Sequence, residues 1–115
     1  MAREPVSLIQ GTLELLILET LRRGDSMHGF EILRWIHDTS GSTLTIEEGS
    51  LYPALHRMEQ RGWIVAEWGV SERGRRAKYY SLAQPGRRQL AREERNWIEY
   101  VSVVGRILKA AGAPA

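Results

Sequence analysis

Ser50, Tyr52, His56 and Arg57 lie within eight residues and share one ability, donating a hydrogen bond to an oxygen or nitrogen acceptor. Two are hydroxyls, one is an imidazole that donates without needing a positive charge, and one is a planar cationic fork. At helical spacing Tyr52 and His56 stand one turn apart, while Ser50, Arg57 and Arg61 turn toward another side. A second donor group, Arg73, Arg75, Arg76 and Lys78, follows in and just beyond a glycine-containing polar stretch. Such groups suit an anionic, acceptor-rich surface, and their distribution matters more than the net charge of +2. Residues 1–68 carry a net −4, residues 69–92 a net +6 and residues 93–115 none, so positive charge is concentrated in one short stretch. Glu47 and Glu48 oppose a uniformly basic face; attraction to a helix N-terminus accounts for them.

Catalysis has little to work with. His28, His37 and His56 show no HExxH spacing, there is no cysteine nucleophile, and no glycine-lysine phosphate loop is present. No enzyme activity, metal site or cofactor is expected. The lack of cysteine removes disulfides and is compatible with a cytoplasmic protein. Residues 1–5 lack the features of a secretory leader, and no apolar run is long enough to span a bilayer, so no membrane partner is expected. At 115 residues and 43% hydrophobic, the chain suits one compact domain and a single extra element.

The donors need a scaffold, and the apolar spacing supplies one. Residues 8–22 read as a first helix with Leu13, Leu16, Ile17 and Leu21 at helical spacing. Leu15 and Leu18 extend its apolar surface beyond what one core would consume, which points to a partner subunit. A second helix follows residues 24–26, with Phe30, Leu33, Ile36 and His37 as its inward positions, ending near Gly41. Thr45 and Glu48 have the spacing of a capping box, so the third helix is expected to start near Glu47. It turns Leu51, Leu55 and Met58 inward, tolerates Pro53 early and ends at Gly62. Residues 63–68 and 77–82 read as strands around a polar, glycine-containing tip, so the basic stretch becomes a wing. Pro85 opens a last helix in which Leu90, Trp97, Val101, Val104 and Leu108 fall at heptad-like spacing, with Glu94 at the interrupted position. From Gly86 to Lys109 that helix spans about 36 Å, too long for a small domain to cover. Trp63, Trp68, Tyr80 and Leu82 read as core or strand-edge packing, Met27 and Met58 as fillers, and the terminal residues 112–115 are expected to fray. The expected fold is mainly α with a small β-hairpin: a winged helix-turn-helix over residues 8–84 and a long C-terminal helix over 85–110.

The pattern Gly11-Thr12-Leu13, Leu15-Leu16-Ile17-Leu18, His28-Gly29-Phe30-Glu31-Ile32, Glu48-Gly49-Ser50-Leu51-Tyr52-Pro53-Ala54-Leu55-His56-Arg57-Met58-Glu59, Gly62-Trp63-Ile64, Arg75-Arg76-Ala77-Lys78-Tyr79-Tyr80-Ser81-Leu82 and Gly86-Arg87 before Leu90 resembles the PadR family of bacterial transcriptional regulators. The match is to its small members, with one winged domain and one dimerisation helix. Two positions depart from the pattern. Phe30 stands where tyrosine is common, and Ala83 where threonine commonly caps the last helix, a loss of about 0.5–2 kcal/mol unless Gln84 or a shifted start compensates.

The resemblance implies a homodimer that binds a double-stranded, inverted-repeat DNA operator, usually represses transcription, and often responds to a small hydrophobic or aromatic effector. Ser50, Tyr52, His56 and Arg57 match the family's recognition-helix set position by position. Ser50 can receive a phosphate beside the helix amides, Tyr52 can clamp one, and His56 can donate to phosphate or base. Arg57 can pair with guanine or with phosphate. Arg73, Arg75, Arg76 and Lys78 can follow the backbone, with arginine also able to enter a narrow minor groove. In related regulators an aromatic residue of the last helix lines an effector pocket near the dimer axis, which selects Trp97, with Leu15 and Leu18 as further walls. Interface packing alone is the slightly simpler reading of Trp97. Two other functions share the fold: a winged-helix protein-interaction module without specific DNA binding, and a sensor that binds DNA in only one ligand state.

Overall fold

The computed structural model of the chain describes residues 6–112, with side chains described as far as residue 110. The N-terminal segment read for a leader and the last three residues of the tail lie outside it. Four helices and a small antiparallel sheet follow in the order α1 (Leu13–Arg23), β1 (Met27–His28), α2 (Gly29–Thr39), α3 (Glu48–Gln60), β2 (Ile64–Val70), β3 (Arg76–Leu82) and α4 (Gln84–Gly112).

Helix α1 starts five residues later than its apolar run suggests. Gly11 adopts a left-handed backbone (φ +89°), the Thr12 amide donates to the Ile9 carbonyl at 3.1 Å, and a helix cannot run through that turn. Arg22 and Arg23 complement its C-terminal dipole.

Residues 24–28 hold a strand the periodicity did not reveal. Met27 and His28 pair with Tyr80 and Tyr79, giving a three-stranded sheet in the order β1-β3-β2 rather than a hairpin alone. Pairing fixes the phase of α2. Its N-cap is His28, whose Nδ1 accepts from the Glu31 amide at 3.3 Å while the Glu31 carboxylate accepts from the His28 amide at 3.0 Å. That reciprocal arrangement is a capping box built with histidine instead of serine or threonine. Consequently Ile32 and Ile36 are buried, and Phe30, expected inward, is 55% exposed.

The capping box expected at Thr45 does not form. Thr45 Oγ1 lies 3.3 Å from His37 Nδ1 instead, and Glu47 is the N-cap of α3 without a side-chain bond. The helix starts within a residue of its expected place and buries Leu51, Ala54, Leu55 and Met58. At its end Gly62 is left-handed (φ +76°) and the Trp63 amide donates to the Met58 carbonyl at 3.0 Å, a Schellman closure that sends the chain straight into β2.

Strands β2 and β3 pair in register from Ile64↔Leu82 to Val70↔Arg76, closing through Ser71 and the left-handed Gly74. Trp68, expected as packing, stands 59% exposed near the tip because the sheet has outrun the core there. Ile17, Leu18, Leu21, Ile32, Ile36, Leu51, Leu55, Met58, Ile64, Tyr80 and Leu90 form one cluster that ties α1, α2, α3, the sheet and the base of α4 together.

At the α4 junction the Ala83 amide donates to the Trp63 carbonyl at 3.0 Å. Gly86 is obligatory there: a Cβ would sit 2.0 Å from the Trp63 carbonyl oxygen. Twenty-nine residues give α4 a length of about 43 Å. Its far half projects, and the radius of gyration of 16.4 Å exceeds the roughly 13 Å of a compact chain this long.

Candidate nucleic-acid interface

Helix α3 offers donors on both flanks of its exposed side. Leu51, Ala54, Leu55 and Met58 face the core, and Ser50, Tyr52, His56 and Arg57 are all exposed. His56 rides near the crest with Gly49, Pro53 and Gln60, which helical spacing places opposite the buried stripe. Tyr52 lies on the flank toward the wing, and Ser50 with Arg57 on the opposite flank.

The Tyr52 flank opens into a groove of about 990 Å³ between α2 and the wing. Arg34, Arg73, Arg75, Arg76 and Lys78 line it, against only Glu31 and Glu72, so its electrostatics favour an anion. Phe30, Trp35, Tyr52 and Trp68 add aromatic surface. Tyr52 is seated by Gly29: a Cβ at that position would come within 2.7–2.9 Å of its hydroxyl, Cε1 and Cζ. Burial, and secondarily the charge of Glu48, push the Tyr52 phenol above its ordinary value. It stays protonated at neutral pH and remains a donor.

The wing cations are not equivalent. Arg73 and Arg75 flank the Gly74 turn in the open. Arg76 lies 4.3 Å above the Trp68 ring, and Lys78, which faces the same side of the sheet, approaches that ring at 6.0 Å. Stacking on an indole restrains a guanidinium while leaving its donors free. Lys78 is half-buried and its Nζ lies 3.1 Å from Glu59 Oε1, which draws it toward α3 and away from the tip. The other cations of the basic stretch, Arg87, Arg88 and Arg92, belong to α4.

Two groups escaped the spacing of the sequence. Arg34 and Phe30 stand one turn apart on α2 and face the groove together, a pairing that becomes visible only once Phe30 is known to point outward. Glu14 of α1 reaches across to α3, with Oε2 3.8 Å from Arg57 Nε and 3.4 Å from Arg61 Nη1. No local pattern links residues that far apart.

The expected dimer and effector residues divide. Leu15 and Trp97 meet at a cleft of about 320 Å³ that also involves Ile9, Glu93, Asn96 and Tyr100. Leu18, expected at the dimer or effector surface, is instead wholly buried in the core of its own domain and has no surface to give a ligand or a second chain. Leu90 is likewise spent on that core. Beyond them α4 bears a bare apolar face on which Tyr100, Val101, Ile107 and Leu108 are exposed and Val104 partly so. Among the described residues no group of acidic, histidine or cysteine side chains could hold a metal ion, and no helix is long and apolar enough to cross a membrane.

Residues 17–92 match the transcriptional regulator PadR-like family. A transcriptional regulator from Clostridium thermocellum is similar in structure, with a TM-score of 0.80 at 27% identity over 88% of this chain and 97% of that one. A PadR family transcriptional regulator from Eggerthella lenta gives 0.76 at 30% identity over 87% and 84%. A PadR family regulator from Clostridium difficile gives 0.73 at 29% identity over 85% and 99%. An uncharacterised protein of Lysinibacillus sphaericus is 28% identical over 97 residues, 84% of this chain and 88% of that protein.

Proposed function

We propose that this chain, which belongs to the PadR-like family of DNA-binding transcriptional regulators, acts as a homodimeric repressor of an inverted-repeat operator. Members of that family are regulators rather than enzymes. The observation that carries the proposal is a groove with a cationic excess shared by Tyr52 of α3, Arg34 and the wing cations, beside which Ser50, His56 and Arg57 stand exposed on the same helix. In this reading α3 enters the major groove, where base edges are distinguishable, and Ser50, Tyr52, His56 and Arg57 supply contacts to bases and phosphates. A phosphate strand passes between Tyr52, Arg34 and the wing, and Arg73, Arg75 and Arg76 track the backbone or enter the minor groove. Lys78 contributes after leaving Glu59. Occupancy of the promoter blocks transcription without any covalent step.

The bare face of α4 supports the dimer. Val101, Val104 and Leu108 share one side of a projecting helix, and a second copy would bury them and present a second α3 in two-fold relation. The cleft holding Leu15 and Trp97 adjoins that face, so a flat apolar effector there would bear on the dimer and on the spacing of its two recognition helices.

Selection of duplexes from a randomised pool by the purified chain tests this. The expected product is one motif whose two related halves are about one helical turn, roughly 10 base pairs, or a multiple of it apart. Failure to enrich any motif, both without and with small aromatic compounds added, would overturn it in favour of a protein-interaction role.

A further inference from the structure

We propose that Glu14 is a positioning residue for sequence readout, holding Arg57 so that its terminal amino groups address a base edge rather than a phosphate. The proposal rests on the DNA-binding reading above and adds a residue from outside α3 and the wing. A single carboxylate oxygen, Glu14 Oε2, serves two guanidinium groups spaced one turn apart on the flank of α3 away from the wing. Arg61 is held from a second side, its guanidinium lying 5.1 Å over the Trp63 ring. Trp63, Arg61, Glu14 and Arg57 thus form a chain of contacts from the α3–β2 junction to a recognition-helix residue.

The direction of approach decides what Arg57 can do. Its closest approach to Glu14 is Nε to Oε2 at 3.8 Å, an ion pair longer than a hydrogen bond, which leaves the edge bearing the two terminal amino groups for an incoming acceptor. Two parallel N–H groups on a restrained planar fork match the O6 and N7 acceptors of guanine. An unrestrained arginine would instead swing to the nearest phosphate. Glu14 also cancels one of the two charges on that flank, which lowers the attraction of α3 for any duplex regardless of sequence. Stability is a poor explanation for the arrangement, because both arginines are half-exposed and exposed ion pairs contribute little. An acidic residue in the first turn of α1 would satisfy that helix without reaching α3.

The test compares the duplex selected by the unaltered chain with a shuffled duplex of the same composition, for the unaltered chain, Glu14→Gln, Arg57→Ala and the double variant. Glu14→Gln keeps the size and removes the charge. The expected result is a loss of about tenfold in the ratio of selected to shuffled affinity, with shuffled binding equal or tighter and its salt dependence steeper by about one counterion. The lost preference should map to the same base pair as in Arg57→Ala, and the double variant should lose no more than Arg57→Ala alone. Glu14→Asp, which keeps the charge on a shorter arm, should recover part of the ratio. An unchanged ratio in Glu14→Gln overturns the proposal, as does a parallel fall in both affinities together with the melting temperature. Absence of any preference in the unaltered chain would instead refute the DNA-binding reading itself.

Discussion

Replacing Gly29 by alanine places a methyl group 2.7–2.9 Å from the hydroxyl oxygen and two ring carbons of Tyr52. Carbon atoms rest at about 3.5–4.0 Å, so the ring must retreat by about 1 Å or α2 must move off α3. Neither is free, since His28 is locked by its capping box and by pairing with Tyr79, and α3 is anchored by Leu51 and Leu55 in the core. Overpacking of this kind costs about 1–3 kcal/mol. Alanine also gains up to about 1 kcal/mol over glycine within a helix, which hides part of that cost in the single variant. A double-mutant cycle separates the two: with Tyr52→Ala already present, Gly29→Ala should be neutral or slightly stabilising, giving a coupling of about 1–3 kcal/mol. Urea unfolding at one fixed protein concentration measures it. In DNA binding, Gly29→Ala should reproduce much of the Tyr52→Phe defect, about 1.5–3 kcal/mol per protomer for one lost hydrogen bond to a charged phosphate. A coupling below about 0.5 kcal/mol would show that the ring is not seated by Gly29 and would remove the basis for treating Tyr52 as a fixed donor.

Gly86→Ala should destabilise more simply, by about 2–3 kcal/mol in urea unfolding, because its Cβ would meet a backbone carbonyl that cannot rotate away. Arg75→Ala should weaken binding to selected and shuffled duplexes alike and reduce the slope of log affinity against log salt by about one, as a phosphate contact does. Val101→Asp should weaken self-association by at least about 2 kcal/mol, seen as a shift toward monomer in sedimentation velocity, because it places a carboxylate in the apolar face of α4.

Periodicity carried the elements with one strong internal signal. The inward stripe of α3, the Gly62 stop and the length of α4 all follow from residues close in sequence, and each stands in the structure near its expected place. The departures arise where a distant partner decides. A two-residue strand has no period of its own, so β1 appears only once β3 is there to pair with it; that pairing rotates Phe30 outward and frees His28 to cap α2. Thr45 carries the right spacing for a capping box, but its hydroxyl lies 3.3 Å from His37 Nδ1 instead. Leu18 reads as surplus to one core because the periodicity of α1 does not show how many elements pack on it; α2, α3, β3 and α4 all do, and Leu18 is wholly buried. On the interface, residue types located the donors, while Arg34, the Trp68 platform under Arg76 and the Glu14 bridge depend on elements brought together by folding.

A binding titration of the unaltered chain against the selected duplex and its shuffled counterpart, across a series of salt concentrations, tests operator binding head-on. A cationic interface formed by Arg34, Arg57, Arg73, Arg75, Arg76 and Lys78 predicts preference for the selected duplex throughout, and a slope of log affinity against log salt of about −4 or steeper. Equal binding to both duplexes, or a selected-duplex affinity that salt hardly alters, would contradict the account.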